Sequence, residues 1–168
     1  VLLIKARKQL TSWSCGPAAL RTIFNYYKIK VSEKELILLG DIGREGTDFQ
    51  TMKNLAKDFE FSFYSKSNGS LEGIKKFLKE GYPVLVCYQM GNNKSGHNGH
   101  YSVMYDIDDS FVYIADPSNW VEGDRKKYSK NIKMRKTTFL EHWWDTDADL
   151  PTGKVIGWYG VLKPKEIL

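Results

Sequence analysis

The sequence predicts an α+β domain with an antiparallel sheet. Apolar residues recur at helical spacing through about the first half of the chain, then in short strand-like runs from Pro83 onward. Helices that precede strands, rather than alternating with them, argue against βαβ units. The length of 168 residues fits one domain, residues 1–168, able to bury a core without staples.

Residues 1–6 are mostly apolar and predict an edge strand. Ser12 and Ser14 are cap residues for the helix that follows. Pro17 fits its first turn, where N–H groups lack partners. Leu20, Ile23, Phe24 and Tyr27 give that helix one buried face, ending by Lys30. Ser32 and Glu35 form a capping-box pattern for a helix over 33–39, stopped by Gly40. Residues 41–46 read as a loop. Thr47 and Gln50 form a second capping-box pattern. Phe49, Met52, Leu55, Ala56 and Phe59 then mark an amphipathic helix. Phe61 and Phe63 suggest a short strand. Ser70 caps a helix with Leu71, Ile74, Phe77 and Leu78 inward, ended by Gly81.

From Pro83, at a strand entry, the pattern changes. Residues 84–90 are apolar enough to be central. A Gly/Asn-rich loop over 91–99 follows. Residues 100–107 and 111–115 form a hairpin through Asp108-Asp109, closed by Asp116-Pro117. Residues 122–136 are charged and read as a loop or an edge hairpin. Thr138 and Glu141 suggest a capped helix over 138–144, and 155–162 a last strand.

The net charge of +5 favours acidic partners only mildly. No aromatic RNA-binding motif or zinc-finger spacing is present, so no nucleic-acid partner is expected. No apolar run approaches the ~18 residues of a membrane span. Membrane association would need segments outside this chain. No signal peptide is visible, but the chain opens on Val1, so its ends say little about location.

Two cysteines 72 residues apart do not make a disulfide framework. Cys87 sits in the run Val84-Leu85-Val86-Cys87, where a cysteine behaves as a small hydrophobe. Cys15 opens an apolar helix. Unpaired N–H groups and the partial positive charge there favour a thiolate, the form that attacks carbonyls. Gln9 could aim an amide N–H₂ at the same point.

A cysteine nucleophile needs a base, a group to orient it and donors for the oxyanion. His142 lies beside Trp143 and Trp144 and reads as a packed histidine. His97 lies in the Gly/Asn loop, where nothing fixes its ring. His100 opens a strand, which holds a base far better than a loop does. Asp116 lies 16 residues further on, and the hairpin register brings it back to His100. There its carboxylate could accept the Nδ1–H of the imidazole and fix the tautomer.

Other features carry less. Asp145, Asp147 and Asp149 alternate like a calcium loop, but Leu150 and Ile156 stand where that loop needs Gly and Glu. Cys15, Cys87, His97 and His100 lack zinc-ligand spacing. The basic run from Arg125 to Lys136 reads as a solvated face.

Gln9, Ser14-Cys15-Gly16-Pro17-Ala18, Gly99-His100-Tyr101-Ser102-Val103 and Asp116-Pro117, in this order, resemble the papain-like cysteine peptidases that process double-glycine bacteriocin leaders. The chain is most similar to stand-alone domains related to that family. The resemblance implies a papain-like α+β fold and no cofactor or metal. It makes Cys15 the nucleophile, His100 the general base and then acid, and Asp116 its orienter. Gln9 would be an oxyanion-hole donor, with the Cys15 backbone N–H as the second. The implied activity is hydrolysis of a peptide bond, as in a leader or precursor peptide, through an acyl-enzyme. A peptide or protein would be the substrate. Ser14 replaces the acidic residue that transporter-fused members carry, so the cleavage sequence stays open. Amide transfer at the same site, or peptide binding without cleavage, are the alternatives. A free thiol suits a reducing compartment, which favours the cytoplasm, or a guarded extracellular site.

Overall fold

A computed structural model describes residues 1–90, 99–118, 131–147 and 149–166. The first helix, α1 (Cys15–Tyr26), is followed by α2 (Glu33–Leu39) and α3 (Phe49–Asp58). Strand β1 (Phe61–Lys66) and helix α4 (Leu71–Lys79) precede the main strands β2 (Val84–Gln89), β3 (Gly99–Ile107) and β4 (Phe111–Ala115). Then come β5 (Asn131–Arg135), α5 (Lys136–His142), β6 (Trp144–Thr146), β7 (Lys154–Ile156) and β8 (Tyr159–Pro164). Six strands form one antiparallel sheet in the order β1-β8-β2-β3-β4-β5. Strands β6 and β7 pair separately.

The sheet is covered on both faces, which explains why β2 is apolar from Val84 to Tyr88. Leu85 and Cys87 join one apolar cluster with Leu20, Ile23 and Phe24 of α1. Val84, Val86 and Tyr88 join the other, with Ile74 of α4 and Phe139 of α5. A strand alternating between two cores needs apolar side chains at every position. The result is three layers: α1 to α3, the sheet, then α4 and α5.

Local signals account for most helix ends. Ser32 and Glu35 form a reciprocal capping box. Ser70 accepts from the Gly73 N–H, and Gly81 has φ of 91° just after α4. The close approach of α1 to the loop before α3 requires Gly16. A Cβ there would lie 2.8 Å from the Thr47 hydroxyl.

Several expectations are corrected. Residues 1–6 form no strand, although Ile4 and Ala6 are buried. The Asn131 side chain instead donates to the Ile4 carbonyl at 2.8 Å and accepts from the Ala6 N–H at 3.3 Å. One amide side chain thus replaces a ladder. Asp48, not Thr47, caps α3, accepting from Thr51 at 2.7 Å, while Thr47 packs against Gly16. Helix α5 starts at Lys136 with no side-chain cap, so Thr138 lies within it. Ser14 stands at the N-cap of α1 without a capping side-chain bond. The last strand is split at Gly157, where φ is 63° and the chain turns.

Residues 91–98 of the Gly/Asn loop, with His97, and Arg125, Lys126, Lys127 and Lys130 of the basic run, lie outside the described residues, while Gly99 opens β3. The rest of that run is solvated as expected at Lys133 and Arg135, which lie over the Phe111 ring at 4.0 and 5.7 Å. No helix among the described residues is long and apolar enough to cross a membrane.

Candidate active site

Four expected residues converge where the N-terminus of α1 meets the start of β3. Cys15 is the first residue of α1, half-buried, with a free thiol. His100 is the second residue of β3 and only 4% exposed. Its Nε2 lies 2.6 Å from Asp116 Oδ1. The β3–β4 register pairs Val103 with Ala115, which carries Asp116 back toward His100 as the hairpin count expects. The expected ring orientation is corrected. Asp116 binds Nε2, not Nδ1, which leaves Nδ1 for the thiol. The Cys15 side chain is close enough to the ring to raise its pKa.

The site is held rigid by further contacts. Asp116 Oδ1 also accepts from the Ser118 N–H at 2.9 Å, which fixes the carboxylate. The Tyr88 ring stands edge-on to the His100 ring, with centroids 5.8 Å apart. The Tyr88 hydroxyl is anchored by Ser102 at 3.2 Å. Burial pulls the His100 imidazole down, but bonds to Asp116 and Cys15, and their negative charge, outweigh it and raise it to about 9. The ring therefore favours its charged form.

Gln9 is buried at the same corner. Its N–H donates to the Pro117 carbonyl at 2.8 Å, tying it to the residue after Asp116. Its side-chain amide donates to the Thr11 carbonyl at 2.6 Å.

Two supporting carboxylates escape the sequence reading. Glu33 is 1% exposed, and both its oxygens accept from the Leu10 N–H, at 3.1 and 3.0 Å. Burial pushes its carboxyl up, against the opposing pull of Ser14, Leu10 and Arg21. It grips the segment between Gln9 and Cys15. In the sequence it is only the first residue of a helix. Asp145 accepts from the Cys87 thiol at 3.3 Å and from Gln89 Nε2 at 3.1 Å. It also crowds Gly99, where a Cβ would lie 2.5 Å from its Oδ1. Alternating acids had drawn attention to it only as a calcium candidate.

His142 is a packed histidine, its Nδ1 3.0 Å from the Gln89 carbonyl oxygen. Among the described residues no group of three or more His, Cys, Asp or Glu is arranged to hold a metal ion. A cleft of about 690 Å³ opens beside Cys15, lined by residues 44–50 from the end of the loop and the start of α3, and by Tyr101 and Asp145.

The arrangement can carry acyl transfer. It holds a thiol at a helix N-terminus, an imidazole to move its proton, a carboxylate to fix the imidazole, and a cleft to seat a chain.

Comparison with known proteins gives a consistent answer. The profile described as "Peptidase C39 family" matches residues 4–146. An uncharacterized protein of Methanothermobacter marburgensis is 30% identical over 115 residues, covering 66% of this chain and 70% of that protein. The mesentericin-Y105 transport/processing ATP-binding protein MesD of Leuconostoc mesenteroides is 30% identical over 148 residues. That match covers 80% of this chain but only 17% of MesD. Among solved structures, the peptidase domain of Streptococcus ComA, a bifunctional ABC transporter, superposes with a TM-score of 0.72. It is 24% identical, with 96% of this chain and 98% of that domain covered. A double-glycine-motif protease from an AMS/PCAT transporter, in complex with a leader peptide, gives 0.70 at 18% identity, covering 98% and 94%. The fold is that of these papain-like peptidase domains.

Proposed function

Because the chain belongs to the peptidase C39 family, we propose that it is a cysteine peptidase working through Cys15, His100 and Asp116. One observation carries the assignment of residues: the 2.6 Å contact between His100 and Asp116, on a ring whose pKa Cys15 also raises. The family supports a peptidase, and the leader peptide held by a protein of the same fold supports a peptide in the cleft.

In this reading the Cys15 thiolate attacks the scissile carbonyl carbon while His100 holds the proton. The oxygen becomes an oxyanion, which the Cys15 backbone N–H and the Gln9 amide receive. His100 then gives its proton to the departing amine, the C–N bond breaks, and a thioester remains on Cys15. Water loses a proton to His100 and attacks the thioester, releasing the carboxylic acid and the thiolate. Asp116 holds the ring on Nε2 and stabilises its charged form throughout.

The experiment is incubation of the protein with an unbiased peptide library, reading new termini and the intact mass of the protein after acid quench. Peptide cleavage with an acyl adduct on Cys15, both absent in Cys15→Ala, is expected. An added primary amine separates hydrolysis from transfer by appearing in the products. Retention of peptides with no cleavage and no adduct would leave a binding domain and overturn the proposal.

A further inference from the structure

The chain as a whole is basic, with a net charge of +5. The cleft beside Cys15 has the opposite character. Among the described residues that line it, five are acidic, Glu45, Asp48, Asp145, Asp147 and Asp149, against one basic residue, Arg44. They come from two segments far apart in the chain, 45–48 and 145–149, so no single acidic loop accounts for them. Glu45, Asp48 and Asp149 are exposed, and Asp145 and Asp147 are half-buried. Asp145 abuts Gly99, the residue before His100, so one of these carboxylates lies next to the strand that carries the base.

A cleft lined by one sign of charge between low-dielectric walls concentrates ligands of the other sign. Trp13, two residues before the nucleophile, lines the same cleft and is of the residue type that attracts cations best. The carboxylates near Cys15 would repel a thiolate, so they add nothing to the nucleophile. Their use is in what they face.

We infer that the cleft selects a peptide carrying lysine or arginine within a few residues of the scissile bond. This rests on the cleft being the substrate site of the proposed peptidase. The site is located by Cys15, His100 and Asp116; the acidic walls assign the class of chain it takes. Glu45 and Asp147, one from each segment, are the specificity residues to test.

The field of the cleft can be read without any turnover. Cys15 is treated with a cationic thiol reagent, 2-(trimethylammonio)ethyl methanethiosulfonate, and its anionic counterpart, 2-sulfonatoethyl methanethiosulfonate. Each rate is divided by the rate with free mercaptoethanol. At low salt the cationic reagent should be favoured by about tenfold or more, and the ratio should approach one in 1 M salt, where the screening length is about 3 Å. The double variant Glu45→Gln, Asp147→Asn should lose most of the preference. A ratio of one or below at low salt overturns the inference. In the peptide library, cut sites should be enriched in Lys or Arg at one position near the bond. Cleavage with no such enrichment overturns the inference and leaves the peptidase standing. Slow reaction of Cys15 with both reagents, no faster than a free thiol, counts against the peptidase, while the ratio still decides the charge of the cleft.

Discussion

Two thiols line one cleft from different elements, and nothing in the cysteine side chain itself distinguishes them. Cys15 heads α1, half-buried, beside His100. Cys87 sits within β2, 2% exposed, donating to Asp145. Burial pushes the Cys87 thiol up, and the charge of Asp145 pushes it further. The helix start faces an imidazole; the strand interior faces a carboxylate. The difference lies in the neighbours, and each neighbour is placed by the fold.

The sharpest way to break this comparison is to exchange the two sites. Cys15→Ala should lower peptide cleavage by about a thousandfold or more. Cys87→Ala should change it by less than about fivefold, since the methyl leaves only a small cavity in a packed wall. Equal losses would contradict the division of roles.

Next in size is the base. His100→Ala should cost about 10²- to 10⁴-fold in turnover, the usual span for general acid–base groups. It should also slow alkylation of Cys15 but not of Cys87. Asp116→Asn should cost less, because the ring keeps a hydrogen-bonding partner while losing the charge that stabilises it.

The His100 contacts also set a pH dependence of stability. Its raised value, about 9, lies above the ordinary imidazole range, so the charged ring stabilises the folded state. The contribution is fully present below about pH 6.5 and is lost as pH rises through about 9. Thermal unfolding followed from pH 6 to 10 should show this decline, on the order of 1–3 kcal/mol. His100→Gln should flatten it, and an unchanged decline in that variant would assign it elsewhere.

The smallest effect concerns the acid beside Cys87. Asp145→Asn removes a negative charge from the thiol while leaving it buried. Alkylation of Cys87 in the folded protein should rise by up to about tenfold. No change would mean that burial alone keeps this thiol inert.

The sequence made Cys15, His100 and Asp116 legible for a local reason. Cys15 follows a cap position, His100 opens a strand, and Asp116 closes a hairpin whose turn is marked by Asp108-Asp109. Each is signalled by neighbours in the chain, and the hairpin register links the last two. Glu33 and Asp145 were not legible in this way. Glu33 grips Leu10 across 23 residues, and Asp145 meets Cys87 across 58. Contacts of that kind leave no periodic trace. The orientation of the His100 ring was also out of reach, because side-chain rotation is set by packing against Tyr88 rather than by register. The separation of the two cysteines was legible in outline from the apolar run around Cys87. That both face one cleft was not.

The central claim is that Cys15 is activated by its neighbours and Cys87 is not. Limiting iodoacetamide near pH 6, followed by mapping of the modified residue, tests it most directly. The account predicts labelling of Cys15 well ahead of both Cys87 and a free peptide thiol, with that advantage lost in His100→Ala. Labelling of Cys15 no faster than the free peptide thiol would contradict it.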